Sequence, residues 1–398
     1  MKTSLSTVQF QHDTIIDITR LLDRRMKLRL PTGVDRVSLE YVRYFSQRST
    51  AMVRFLGQWI ELSRRDSELI FGELLSLGIL DRTLIHKVVI KALLCNAKHR
   101  FSKPRYFFNT GHSGLDSIDY GQRLQRSQLK PIFFIHDLIP LTHPEYCRPG
   151  ESDRHRVRIN TMIDSGYGVI ANSEATLTAL ADYAETKGVL MPPTVVAPLA
   201  PAKLSASQDG AFLNKPYFVI LGTIEPRKNH LLLLQLWRQL IEQWGDNAPC
   251  LVIIGQHGWE CENVVDLLER CELLNGFVFE YLVCSDQELA NWLKHSQALL
   301  FPSFTEGYGM PLIEALALGV PVIASDLPAF HEIAGDIPEY IDPLDGKQWV
   351  TMIMEYVQKE SLFRQRQCQR MVTLEIPTWV NHFELVENFM ARLRFEAS

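Results

Sequence analysis

Two glutamates with seven residues between them, Glu306 and Glu314, flank a Gly-Tyr-Gly-Met-Pro turn in FPSFTEGYGMPLIEALALGVPVIASD, residues 301–326. Pro311 suits the first turn of a helix, where its missing N–H would have no helical partner. The amides of Gly309 and Met310 then open from the helix start, and such a terminus attracts phosphate. Glu306, in the loop, would repel an anion held there, so neutral hydroxyls are its expected partners. Glu314, one turn into the helix, can reach other hydroxyls on the far side. A sugar on one side, a ribose on the other and a diphosphate between them would fit this loop.

The matching cations stand in GTIEPRKNHLLLL, residues 222–234, where Gly222 closes an apolar run and Arg227 and Lys228 precede a Leu-rich helix. Arginine offers a bidentate fork and lysine a point charge. Together they can neutralise a diphosphate and stabilise charge growing on a departing phosphate. Gly255 follows another apolar run, in IIGQHGW (253–259). In PIFFIHDLIPLTHPEY (131–146) a buried strand delivers His136 and Asp137 to its carboxyl end, and FNTGHSGL (108–115) offers His112. His136 reads equally as a core histidine capping the strand, and Asp137 as the cap of the following turn. In LPTGVDRVSLEYVRYF (30–45), Gly33 and Arg36 open an amphipathic helix, and a plain tight turn is an equal reading of Gly33. No Asp-x-Asp pair or histidine cluster calls for a metal, and the two cations can replace one.

These residues need two sheets to position them. The chain has 398 residues, more than one core usually spans, so two domains are expected. Short β-rich runs alternate with helical stretches through residues 14–198, a polar stretch at 202–215 reads as a linker, and the alternation restarts at 216–222. The expected class is α/β, with two doubly wound, Rossmann-like domains facing across a cleft and ligands at the carboxyl ends of the strands. The domain boundaries are 1–205 and 206–377, with a helix at 378–398 crossing back to the amino domain. Charge divides at the same place. Residues 1–205 hold 28 Lys and Arg against 20 Asp and Glu, net +8, and the remainder holds 13 against 26, net −13.

The seven cysteines are scattered and form no C-x2-C pair, as expected of reduced thiols. No run approaches the roughly 18 uncharged apolar residues of a membrane span, and the opening MKTSLSTVQFQHD lacks the apolar core of a leader. A cytoplasmic location is expected. One helix leaves a further reading open. In IHKVVIKALLCNAKHR (85–100), Ile85, Val88, Val89, Ala92 and Leu93 share one face, and Lys87, Lys91 and Lys98 gather on another. This is either an ordinary half-buried helix or a peripheral contact with an anionic membrane at its inner face, where a lipid-linked acceptor would be met.

The four motifs at 135–140, 222–234, 253–259 and 301–326, which occur in the family's order at plausible spacing, resemble retaining glycosyltransferases of the large family 4 with the GT-B fold, and in particular bacterial mannosyltransferases. The resemblance covers most of the carboxyl half and parts of the amino half. It implies a nucleotide-sugar donor bound by Gly33, Gly222, Arg227, Lys228, Gly255, Glu306, Gly307, Tyr308, Gly309, Met310 and Glu314. Glu306 would contact the transferred sugar, Glu314 the ribose, and His136 would lie beside the sugar, so that Glu306, Arg227, Lys228 and His136 form the catalytic set. Asp137, His112 and Arg36 are the acceptor-side or sugar-side candidates. The implied reaction moves a hexose, first of all mannose from GDP-mannose, to a glycan or lipid-linked glycan in surface polysaccharide synthesis. It needs no cofactor, no metal and no nucleic acid. Two other readings use the same fold: a sugar-nucleotide 2-epimerase, and a non-catalytic sugar-nucleotide-binding subunit.

Overall fold

The computed structural model describes residues 14–29, 31–76, 81–95, 104–205 and 210–395. The opening stretch 1–13, Lys98 and residues 206–209 of the polar linker lie outside them. Two sheets carry the molecule. The first is built from β1 (Thr14–Asp17), β2 (Ser49–Phe55), β3 (Gln58–Glu61), β4 (Arg105–Asn109), β5 (Leu129–Ile135), β6 (Gly168–Ala171) and β7 (Thr194–Val196), in the order β3-β2-β1-β4-β5-β6-β7. All its pairs are parallel except the β2–β3 hairpin, which turns through Leu56 and Gly57, both at positive φ. The second is built from β8 (Tyr217–Leu221), β9 (Cys250–Ile254), β10 (Val278–Tyr281), β11 (Leu299–Phe301), β12 (Val322–Ser325) and β13 (Glu339–Ile341), in the order β10-β9-β8-β11-β12-β13. Every pair in it is parallel.

Helices cover both faces of each sheet, so the central strands read as unbroken apolar runs: β4, β5, β9 and β11 are buried almost throughout. Each sheet reverses strand order once, between β1 and β4 and between β8 and β11. Crevices form at the carboxyl ends of the strands beside such reversals. The segment after β1 is a helix, Thr19–Met26, whose Leu21 and Leu22 are buried and whose Arg20 and Arg24 both pair with Asp35.

The last helix, Trp379–Phe395, packs on the amino-terminal sheet through Phe383, Val386, Phe389, Met390 and Leu393, all buried. The Tyr106 and Tyr167 hydroxyls donate to the carbonyls of Met390 and Leu393 at 2.9 and 2.8 Å. His382 lies between the carbonyls of Ala197 and Pro198, 3.1 and 3.0 Å from Nδ1, and the Tyr41 hydroxyl, 3.0 Å from Nε2. Only a proton on Nδ1 satisfies those carbonyls, so Nε2 accepts from Tyr41; burial holds the ring neutral, with its pKa down at about 4.

The helix read as lysine-faced spans Arg82–Cys95, with Ile85, Val88, Val89 and Ala92 buried. Lys91 is engaged by Asp66 at 3.1 Å, which removes it from the set of free surface charges. Among the described helices none is long and apolar enough to cross a membrane.

Candidate active site

The loop after β8 and the loop after β11 meet at a cluster of opposite charges. Arg227 Nη1 lies 2.8 Å and Lys228 Nζ 2.5 Å from Glu306 Oε1, and Ser303 Oγ donates to the same oxygen at 2.9 Å. Arg227 Nη2 also reaches Glu225 at 2.7 Å, while its Nη1 donates to the Thr305 carbonyl at 3.0 Å. Burial pushes the Glu306 carboxyl up, but Arg227 and Lys228 more than reverse this and hold it down at about 2. For Lys228, burial outweighs the attraction of Glu306 and lowers its pKa. Arg227 is driven the other way by Glu306 and Glu225, whose pull exceeds the burial effect.

This geometry corrects the sequence reading at one point. Glu306 was expected among neutral hydroxyls, apart from the cations, and instead it joins both of them. Its side chain is only 9% exposed, and a carboxylate so placed is stable only with charged or strongly donating partners. Glu225 and Ser303, both absent from the candidates, complete the cluster. Glu225 was visible as the first residue of EPRKN, but its pairing with Arg227 was not.

The helix after the turn is Met310–Ala317, entered through Gly309 at φ 113°. A side chain on Gly309 would be strained, and its Cβ would stand 2.7 Å from the Phe330 ring. Gly307 is constrained from the other domain: a Cβ there would lie 2.4 Å from the His136 carbonyl oxygen and 2.7 Å from Asp137 Cβ. Ser173 and Thr176 hydroxyls donate to the Gly307 carbonyl at 2.8 and 3.0 Å, fastening the loop to the amino-terminal domain. Gly255 abuts Gly222, with 1.9 Å between an added Cβ and the Gly222 carbonyl oxygen. The turns after β8 and β9 therefore close on each other only with glycine at 255, while Gly222 is fixed as glycine by its φ of 142°.

Tyr308 departs from the donor-binding expectation. Its ring is buried and its hydroxyl donates to the Leu199 carbonyl at 2.6 Å, so it ties the loop to the chain after β7. Met310 is half-buried at the helix start. Glu314 is 6% exposed, with the Ala202 N–H at 3.4 Å and Arg36 Nη1 at 4.0 Å. Burial dominates there and raises its carboxyl to about 7, against the smaller opposing effect of Arg36.

On the amino-terminal side, His136 is buried and donates from Nε2 to the Thr110 carbonyl at 2.8 Å, while its own carbonyl accepts from Asn172. Asp137 Oδ1 accepts from the Ile139 N–H at 3.1 Å and caps the turn. His112, at φ 56°, donates to the Phe134 carbonyl, and His155 donates to that of Asp137. The rings of His112 and His136 lie 5.2 Å apart and those of His112 and His155 5.9 Å apart. Burial lowers the pKa of all three. Gly33 is the first residue of the helix Gly33–Phe45, with open space where a Cβ would be. Its helix starts through the Thr32–Asp35 capping box, which needs no glycine. Arg36, on that helix, pairs with Asp286 of the second domain at 2.9 Å.

Residues 204–366 match the family model described as Glycosyl transferases group 1. They are a group 1 glycosyltransferase domain. Arg227, Lys228, Glu306 and Glu314 all fall inside it. The serotype-specific mannosyltransferase WbdA of Escherichia coli is 26% identical over 270 residues, which is 64% of this chain and 32% of that protein. The chain thus spans about a third of the length of that relative. O-antigen chain mannosyltransferase B of Escherichia coli is 28% identical over 247 residues, 60% of this chain and 63% of that one. Among solved structures, Anabaena HepE in complex with UDP-glucose superposes with a TM-score of 0.68 at 14% identity, covering 95% of this chain and 99% of that one. The fold around the group 1 domain is GT-B.

Proposed function

We propose that this chain is a hexosyltransferase that carries a hexose, with mannose from GDP-mannose as the first reading, from a nucleotide sugar to a glycan or lipid-linked glycan acceptor in surface polysaccharide synthesis. The observation that carries this reading is the convergence of Arg227, Lys228 and Glu306 at 2.5–2.8 Å, beside a helix start one turn ahead of Glu314. On this reading the diphosphate lies at the start of helix Met310–Ala317 and against the two cations. Glu314 takes the ribose hydroxyls and Glu306 the hydroxyls of the transferred sugar. The printed activities of WbdA and O-antigen chain mannosyltransferase B support mannose as the hexose.

The proposed transfer proceeds with retention. Lys228 and Arg227 stabilise the departing β-phosphate, and the acceptor hydroxyl enters on the same face and gives its proton to that phosphate. Two fixed cations can do the work of a divalent ion, so metal-independent turnover is part of the proposal. The exposed Lys87, Ile90 and Leu94 on helix Arg82–Cys95 support a peripheral membrane contact where a lipid-linked acceptor would be met. Co-sedimentation with anionic vesicles at low salt tests that contact, and protein left in the supernatant would remove it. The central test is a thermal-shift screen against GDP-, UDP-, ADP- and dTDP-sugars followed by transfer assays with a chelator present. Ligand at 100 times its Kd stabilises by about 2.7 kcal/mol. No shift with any nucleotide sugar would sink the reading.

A further inference from the structure

Three rings form a row across the boundary between the domains. His143 and Tyr146 belong to the segment that follows β5, and Phe304 belongs to the loop of Glu306. The Tyr146 and Phe304 rings are 3° from parallel with centroids 5.2 Å apart, and His143 and Tyr146 are 20° from parallel at 6.1 Å. All three side chains are half-buried. Tyr146 and Phe304 belong to none of the apolar clusters that make the cores of the two sheets.

The backbone on both sides is fixed. The Tyr146 N–H donates to the His143 carbonyl at 3.1 Å, the His143 N–H to that of Ile139 at 2.8 Å, and the Phe304 N–H to that of Arg227 at 2.9 Å. The row also stands beside the chemistry. Phe304 is two residues before Glu306, and Cys147, next to Tyr146, is close enough to Asp137, Arg227 and Glu225 for their charges to act on its thiol. Core packing does not explain such a row, because core aromatics lie within the apolar clusters and these rings stay half-buried where the two domains meet.

We infer that His143, Tyr146 and Phe304 form a platform for a sugar ring of the acceptor glycan. A pyranose has an apolar face of C–H groups and a rim of hydroxyls. The ring surfaces that the three do not turn toward each other can bind the first, and Glu145, next to Tyr146, and Thr305, next to Phe304, are placed by sequence to meet the second. The inference rests on the transferase reading above, since it names the acceptor side of that site. Because one half of the platform comes from each domain, the platform is complete only when the domains are together.

The test uses the full chain and the substitutions Tyr146→Ala and Phe304→Ala, with Tyr146→Phe and Phe304→Tyr as conservative partners. Binding of α-mannobiose and of maltose is followed by saturation-transfer NMR, GDP binding by calorimetry, and transfer by steady-state kinetics. Each alanine variant is expected to lose at least tenfold in disaccharide affinity and to raise acceptor KM by a similar factor with kcat changed less than threefold. GDP Kd stays within about twofold, and the aromatic replacements keep wild-type affinity. The platform is overturned if wild type binds neither disaccharide, if both alanine variants bind them as wild type does, or if GDP and disaccharide affinities fall together. Wild type that binds disaccharide through these rings but transfers no hexose would sink the transferase reading and leave the platform standing.

Discussion

Glu314→Gln separates what this site does for stability from what it does for binding. The Glu314 side chain is 7% exposed and its carboxyl is raised from 4.5 to about 7, chiefly by burial. A group whose pKa is higher folded than unfolded favours the folded state below its unfolded value, and that advantage is lost as pH rises through the folded value. Below about pH 4.5 both states hold the proton, and above about pH 7 the folded chain must keep a nearly dry carboxylate that the unfolded chain would hydrate. At 1.36 kcal/mol per pH unit, the rise from 4.5 to about 7 corresponds to about 3 kcal/mol lost to the folded state at pH 8 and under about 1 kcal/mol at pH 5. Glutamine has no such titration. The variant should therefore be more stable than wild type at pH 8, by up to about 3 kcal/mol, and close to it at pH 5. Thermal unfolding with urea titrations at both pH values measures the difference. On the proposed reading the same substitution removes the charge-assisted bonds to ribose, and GDP should bind about tenfold or more weakly. A variant less stable than wild type at pH 8 would refute the desolvation argument, and unchanged GDP affinity would refute the ribose assignment.

Arg227→Ala and Lys228→Ala should each lower kcat by about two to three orders of magnitude, as loss of a partner for transition-state charge does in other enzymes; wild-type turnover in either variant would break the diphosphate assignment. Gly307→Ala puts a Cβ 2.4 Å from the His136 carbonyl oxygen, so the domains must separate. Small-angle scattering should show a more open molecule and kcat/KM should fall at least tenfold with GDP affinity nearly kept, while an unchanged scattering profile would count against the contact. Deleting residues 378–398 strips the buried face of Phe383, Val386, Phe389, Met390 and Leu393 from the amino-terminal sheet, and the product should be unfolded or inactive. A soluble truncation with full activity would contradict that.

Parallel strands announce themselves because both faces are covered, which is why β5, β8, β9 and β11 were legible as apolar runs and with them the α/β class. The β2–β3 hairpin was not. Its turn, Leu56–Gly57, lacks the Asn-Gly or Asp-Gly signal, and its outer strand is only partly buried. The residues of the charged cluster were legible by type, since Arg227, Lys228 and Glu306 are uncommon companions for Gly-rich turns after strands. Their pairing was not, because it is set by how two loops 78 residues apart in sequence approach each other. The same limit applies to Tyr308, whose spacing beside Glu306 suggests a ligand contact. Its direction is decided by the Leu199 carbonyl, a partner 109 residues away.

The pairing bears on how the proposed reaction would be accelerated. Arg227 and Lys228 carry two positive charges, Glu225 and Glu306 two negative ones, and the four are bound at 2.5–2.8 Å. A cation already satisfied by a carboxylate gains little from a second anion of modest charge. It gains more when that anion's charge grows, because the balance between the two partners then tips toward the newcomer. A leaving diphosphate is such an anion, with its charge rising as the sugar–phosphate bond breaks. Interactions that strengthen along the reaction lower the barrier, whereas those made equally at the start do not. Glu306 would thus hold the cations in place without letting them bind the ground state too well. As they turn to the phosphate, its carboxylate would become available to the sugar, where positive charge develops at the same moment.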